Sequence, residues 1–203
     1  MRFFLVRHGQ TEANEKGLFY GSTDLGLTRT GLAQARKIKL ALKSVKFESV
    51  YCSQLRRAQQ TANIILPARS RSMQFDRRLN EMHFGAWEMR HFEEIAKNDP
   101  HGWQRWLTGG QKACATGGEP FEDFAQRVTE FAEQLRAITT SGHQLIVAHQ
   151  GVLSLLLARL LNMPAEAMWH FSFQHQAYSM VENHAGFITL RVFNGQVQYL
   201  PEE

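Results

Sequence analysis

Leu5-Val6-Arg7-His8-Gly9-Gln10-Thr11 is the stretch from which the fold is read. With Phe3 and Phe4 before it, Leu5-Val6 completes an apolar run too short for a helix of its own, and the run reads as a buried strand. The strand stops at an arginine, a histidine and a glycine in succession. In open α/β sheets, ligands bind beyond the carboxyl ends of the strands. Arg7 and His8 therefore put a permanent cation and an imidazole where a ligand would sit. The expectation is that His8 is a nucleophile accepting a phosphoryl group and that Arg7 binds the same phosphate. Gly9 is expected to let the backbone turn sharply without a Cβ clash. A lone strand-end histidine is more often a satisfied core or turn residue. The reading therefore depends on a second cation, an acid and a second histidine at comparable places.

Outward from this strand, apolar runs alternate with helical periodicity. Residues 11–27 read as a loop, Thr28 as an N-cap, and 31–44 as a helix through Leu32, Ala35, Ile38 and Leu42. Residues 47–52 read as a strand, Ser53 as a cap, and 55–66 as a helix stopped by Pro67. Residues 73–76 give a short strand, 79–88 an irregular aromatic and charged segment, and 91–98 and 101–107 short helices. Residues 109–118 form a loop with four glycines, the best candidate for mobility. Residues 119–140 are an amphipathic helix through Phe121, Phe124, Val128, Phe131, Leu135 and Ile138. Residues 144–148 read as a strand and 150–161 as a buried helix. Closing strands are expected over 178–182, 187–193 and 197–200, with Asn194-Gly195 as a hairpin turn. Strands alternating with helices predict an α/β fold, a three-layer α/β/α sandwich on a mostly parallel central sheet. No repeat, low-complexity tract or linker interrupts it, so 1–203 reads as a single domain.

Composition narrows the partners. With 203 residues, 43% hydrophobic and 21% charged, the chain can bury a large core and gives no case for disorder. A net charge of +4 suits a small anionic substrate, although solubility alone would explain it. Basic residues fall in short, scattered groups at Arg56-Arg57, Arg69 to Arg71 and Arg77-Arg78, so no nucleic-acid partner is expected. The apolar stretch 145–161 is interrupted by His149, Gln150 and Arg159, so no membrane partner is expected either. Cys52 and Cys114 have no metal or redox spacing, and no signal-peptide pattern opens the chain. The expectation is a cytoplasmic protein with free thiols, with homodimerisation left open.

Three further segments meet the condition set by Arg7-His8-Gly9. Asn14 lies within reach of the same strand end, with a turn-forming role equally open. At Cys52-Ser53-Gln54-Leu55-Arg56-Arg57 a strand ends and a helix begins, which offers free N–H groups and an arginine fork to an anion. Two arginines on a first helical turn are otherwise usually solvated. Leu79 through Glu88 places carboxyls among aromatic residues, where a general acid can keep its proton; pairing with a nearby arginine such as Arg78 is the plain alternative. Leu145-Ile146-Val147-Ala148-His149-Gln150-Gly151 repeats the first motif, an apolar strand followed by histidine and glycine. Gln10, Thr11 and Gln150, beside the two histidines, join Asn14 as candidate substrate-binding residues.

Together these segments resemble the histidine phosphatase superfamily, which includes the cofactor-dependent phosphoglycerate mutases. Arg7, His8 and Gly9 match its Arg-His-Gly motif. Ser53, Leu55, Arg57, Ala58 and Thr61 match its Ser-x-Leu-x-Arg-Ala-x-x-Thr motif, Glu81 its acid, His149 its second histidine and Asn14 a family asparagine. The resemblance implies a phosphoglycerate mutase-like fold, phosphorylation at His8, and Arg57 rather than Arg56 as the phosphate arginine. Phe84-Gly85-Ala86-Trp87-Glu88 and the stretch from His149 to Phe171 look closer still to phosphatases of cobalamin nucleotide-loop assembly, which act on α-ribazole 5′-phosphate. Ala86 departs from related phosphatases, which often carry an aspartate there.

The chemistry then expected has two steps. A neutral His8, its other ring nitrogen tied to a backbone carbonyl, attacks phosphorus. Arg7, Arg57 and a protonated His149 hold the non-bridging oxygens, and Glu81 protonates the departing alkoxide and later activates water. No metal or cofactor is called for, because the cations are built in. A mutase transferring the phosphoryl group between hydroxyls is one alternative. A non-catalytic phosphate binder is the other, and it would be expected to have lost the nucleophile or the acid.

Overall fold

The structure is a computed structural model that describes residues 1–67 and 73–200. Arg69 to Arg71 lie outside the described residues. In chain order the elements are β1 (Arg2–Arg7), α1 (Glu12–Glu15), β2 (Leu18–Phe19), α2 (Arg29–Ala41), β3 (Phe47–Cys52), α3 (Arg56–Ile65) and β4 (Gln74–Phe75). They continue with β5 (Arg90–His91), α4 (Phe92–Asn98), α5 (Pro100–Thr108), α6 (Phe121–Arg136), β6 (His143–Ala148), α7 (Gln150–Leu160), β7 (Tyr178–His184) and β8 (Phe187–Gly195).

Six strands form one sheet in the order β4-β3-β6-β1-β7-β8. Strands β4, β3, β6 and β1 are mutually parallel, and β7 runs against β1 and β8. The mostly parallel α/β/α sandwich read from the sequence is thus observed. Phe3 through Val6 are fully buried because both faces of β1 are covered. Phe3 and Leu5 join a core with α6 and α7, while Phe4 and Val6 join a second core with α2 and α3. Period-2 alternation in β1 therefore serves two helical layers at once.

The register brings the chemistry together. β1 pairs with β6 from Phe3↔Gln144 to Arg7↔Ala148, and β3 pairs with β6 up to Cys52↔Val147. His8, His149 and Ser53 therefore leave three adjacent parallel strands at the same edge. Gly9 is required for close approach: a Cβ there would lie 2.4 Å from Gly31 O, and one on Gly31 would lie 2.2 Å from Gln10 O. Gly9 is not among the positive-φ residues, so a sharp turn is not the reason for it.

Several sequence boundaries shift. α3 starts at Arg56, with Leu55 in the capping position; Ser53 Oγ accepts the Leu55 N–H (3.2 Å) from just outside the helix. α6 is shorter than 119–140, because Pro120 precedes it and Ala137 ends it. Thr28 caps α2 as expected. The hairpin turn is at Ala185-Gly186 (φ 50° and 88°), the two-residue form that suits strand twist, and Asn194-Gly195 ends β8. Residues 197–200 do not form a strand. Tyr199 N–H donates to Ala41 O (2.8 Å), and its ring packs edge-on against Phe4, so the segment docks on α2 instead of the sheet edge. No helix among the described residues is long and apolar enough to cross a membrane.

Candidate active site

His8 sits one residue beyond β1 and still pairs with β6, its N–H donating to Ala148 O (3.0 Å). Its Nδ1 lies 2.7 Å from Gly9 O. A carbonyl only accepts, so Nδ1 carries the proton and Nε2 carries the lone pair. Burial, then the charges of Arg57 and Arg7, hold the imidazole well below its usual pKa and neutral. The expected carbonyl-tethered, neutral His8 is found. His175 supports it from behind, its Nδ1–H donating to His8 O (2.7 Å). Burial and Arg7 push His175 down to about 4. Nothing in the sequence singled out His175, a lone histidine between irregular residues.

Two guanidinium groups face the same place. Arg7 Nη1 donates to Phe173 O (2.9 Å), while the described residues supply no hydrogen-bond partner for its buried Nε. A buried charged donor left unpaired is costly, and an anion would satisfy it. Of the two arginines at the start of α3, Arg56 is exposed and Arg57 is 1% exposed. Helical spacing decides between them, since Arg57, Thr61 and Ile65 share the buried face. Arg57 donates to Thr23 O (2.9 Å), Gly21 O (2.6 Å) and His149 Nδ1 (3.2 Å), and lies over the Tyr20 ring, 4.6 Å from its centroid.

The loop that presents those carbonyls is pinned by Glu88. Its carboxylate accepts N–H bonds from Gly21, Ser22, Thr23 and Phe84, and the hydroxyl of Thr23. Burial opposes its charge most strongly, but the bonds from Thr23, Phe84, Gly21 and Ser22 together prevail and bring it to about 2. The sequence placed both Glu81 and Glu88 in one irregular segment, and spacing alone could not separate acid from anchor. A carboxylate whose folded pKa is depressed contributes stability above its unfolded value and loses it as pH falls through the folded value. Glu88→Gln is therefore expected to lower stability at neutral pH, with the gap to wild type narrowing from pH about 4.5 towards about 2. Denaturant melts across that range check it, and a pH-independent gap would contradict it.

His149 departs from expectation. Its ring is 5.0 Å from that of His8, and it is fully buried behind the cavity. Burial, then Arg57, His8 and Arg7, hold it well below its usual pKa. It is neutral, not protonated, because Nδ1 accepts from Arg57. Nε2–H donates to Ser53 Oγ (2.7 Å), which donates to Asn80 Oδ1 (2.9 Å). Both ring nitrogens are engaged by protein, Nδ1 by Arg57 and Nε2 by Ser53.

Glu81 lines the same cavity as His8, Arg7 and Arg57. Its carboxylate accepts N–H bonds from Gly151 (3.0 Å), in the first turn of α7, and from Met82 (3.1 Å). It is thus anchored by backbone as well as flanked by aromatic residues. A Cβ on Gly151 would lie 2.7 Å from Glu81 Oε1, so any larger residue there would displace the Glu81 carboxylate. Asn14 lines the cavity, and its Oδ1 accepts from Thr11 N–H and Tyr20 Oη–H. Gln10 and Thr11 lie elsewhere than expected, while Gln150 does line the cavity. Gln10 Oε1 accepts from Thr28 Oγ1 and is not among the lining residues. Thr11 is fully buried and caps α1. The Gln150 amide donates to Ser154 Oγ and Phe171 O and accepts from Phe173 N–H and, at 3.4 Å, from Arg7 Nη1.

The cavity holds ≈ 380 Å³. Arg7, His8, Arg57, Glu81 and Asn14 supply its polar part, and Phe19, Phe84, Trp106, Phe121, Phe124 and Trp169 supply its aromatic walls. Among the described residues no cluster of three or more His, Cys, Asp or Glu could hold a metal ion. The chain is similar to known proteins along its length. The family model for the histidine phosphatase superfamily (branch 1) matches residues 3–196. The adenosylcobalamin/alpha-ribazole phosphatase of Salmonella typhimurium (strain LT2) is 43% identical, over 100% of both chains. Its counterpart from Escherichia coli (strain K12) is 44% identical over 97% of each chain. The crystal structure of the alpha-ribazole phosphatase from Shigella flexneri superposes with a TM-score of 0.92 at 42% identity, covering 100% of each chain.

Proposed function

The chain belongs to the histidine phosphatase superfamily and is a phosphatase acting on small phosphorylated substrates, and we propose that it dephosphorylates α-ribazole 5′-phosphate or adenosylcobalamin 5′-phosphate through a phosphohistidine at His8. His8 Nε2 attacks phosphorus, the Nε2–P bond forms, and the bond from phosphorus to the leaving oxygen breaks. Arg7 and Arg57 bind the non-bridging oxygens, where charge is redistributed in the transition state. Protonated Glu81 gives its proton to the leaving oxygen. In the second step Glu81, now a carboxylate, takes a proton from water, which attacks phosphorus and releases phosphate as the Nε2–P bond breaks. His149 and Gln150 act through the arginines they orient.

One observation carries this reading: a histidine with its tautomer fixed by Gly9 O shares a cavity with Glu81 and with an arginine whose buried Nε has no hydrogen-bond partner among the described residues. The substrate assignment rests on the names of the relatives and on the aromatic walls, which suit an alcohol bearing a planar base. Specificity constants for α-ribazole 5′-phosphate, phosphoserine, 3-phosphoglycerate and glycerol phosphate test it. α-Ribazole 5′-phosphate is expected to lead by about a hundredfold or more, because the others leave the walls unfilled. Equal constants, or a lead for phosphoserine, would contradict the assignment.

A further inference from the structure

Arg7, His8 and Arg57 account for the phosphate, and the aromatic walls remain to be explained. Trp169 belongs to a 3₁₀ turn, Ala165–His170, that follows α7. The residue is 67% exposed, and among the described residues it is the one exposed large hydrophobic residue that also lines the catalytic cavity. An indole left in water forgoes the burial that makes tryptophan favourable in a folded chain, and its faces remain available for stacking. The turn itself is anchored: Ala165, Ala167 and Met168 are buried, and Met168 lines the same cavity. Trp169 is therefore held at the cavity mouth by its neighbours. The deeper wall is already packed. Phe84 meets Trp106 edge-to-face at 5.8 Å and Phe19 at 5.4 Å, so those rings have committed part of their surface to each other.

We propose that Trp169 is a specificity-determining residue, its free indole stacking on a planar heteroaromatic base carried by the leaving alcohol, with Phe84 and Trp106 completing the base subsite. This rests on the phosphatase reading above and adds the residue that reads the leaving group. The indole touches no reacting atom. It strengthens binding of the ester and its transition state alike, so its removal acts on KM and leaves kcat in place.

The test compares wild type, Trp169→Ala and Trp169→Phe on α-ribazole 5′-phosphate and on glycerol phosphate. Trp169→Ala is expected to raise KM for the ribazole ester about tenfold or more, the scale of one base–aromatic stack, with kcat unchanged. Trp169→Phe recovers most of the loss, and glycerol phosphate kinetics stay unchanged in both variants. An unaltered KM for the ribazole ester in Trp169→Ala overturns the assignment, as does an equal rise for both esters. A change confined to sedimentation behaviour also overturns it, since the indole would then serve contact between copies. A wild type that hydrolyses both esters alike fails the substrate reading itself, whereas a wild-type preference that is undiminished in Trp169→Ala fails Trp169 alone.

Discussion

His8→Ala is expected to abolish turnover, lowering kcat on the order of 10⁴-fold or more for every phosphomonoester, because loss of a covalent nucleophile has effects of that size. The fold tolerates the change. The imidazole has one backbone tether, Gly9 O, while the main-chain bonds of residue 8 to Ala148 and His175 do not involve its ring. Arg7 and Arg57 keep their own partners, so phosphate esters still bind. The expected signature is binding without turnover, read by calorimetry beside kinetics, with unchanged circular dichroism. A His8→Ala enzyme working at the wild-type rate would remove the nucleophile from the account.

Glu81→Gln is the second large effect, and it separates the two steps. The amide carbonyl can still accept from Gly151 and gives up only the bond from Met82 N–H, so the side chain keeps one backbone anchor while losing its proton-transfer capacity. A ribose 5′ alkoxide leaves poorly without a proton, so phosphorylation by alkyl esters is expected to slow about 10²- to 10⁴-fold. Nitrophenolate needs no proton, so phosphorylation by 4-nitrophenyl phosphate should proceed almost unimpaired. Hydrolysis of the phosphoenzyme still needs a base, so that substrate should give a nitrophenol burst followed by a slow steady state. Equal slowing of the first step for both esters would sink the acid role, and a burst-free steady state at the wild-type rate would sink the base role.

Why some of this was legible in the sequence and some was not has physical causes. Phe3 through Val6 and Leu145 through Ala148 lie in strands covered on both faces, and such strands read as unbroken apolar runs. Their parallel pairing then places His8 and His149 side by side. The family motif singled out Arg57, and the structure supplies the reason: Arg57 lies on the buried face of α3 and Arg56 on the exposed one. What escaped depends on contacts distant in sequence. Glu88 becomes an anchor because Gly21, Ser22 and Thr23 fold onto it, and His175 matters because it reaches the carbonyl of His8. Gln10 and Thr11 adjoin the nucleophile in sequence, yet they turn to Thr28 and into the cap of α1. The charge of His149 follows from the guanidinium that donates to it, which a motif does not record. Residues 197–200 had strand-like alternation but docked on α2, where Ala41 O offered Tyr199 a partner.

The central claim is covalent, and trapping the intermediate tests it most directly. Wild-type enzyme mixed with 4-nitrophenyl phosphate, quenched in alkali within one turnover and digested, is expected to carry one phosphoryl group on the peptide that contains His8. That group should be lost in acid, as a phosphoramidate is. Phosphate on another residue, or none at any quench time while phosphate is being released, would contradict the account.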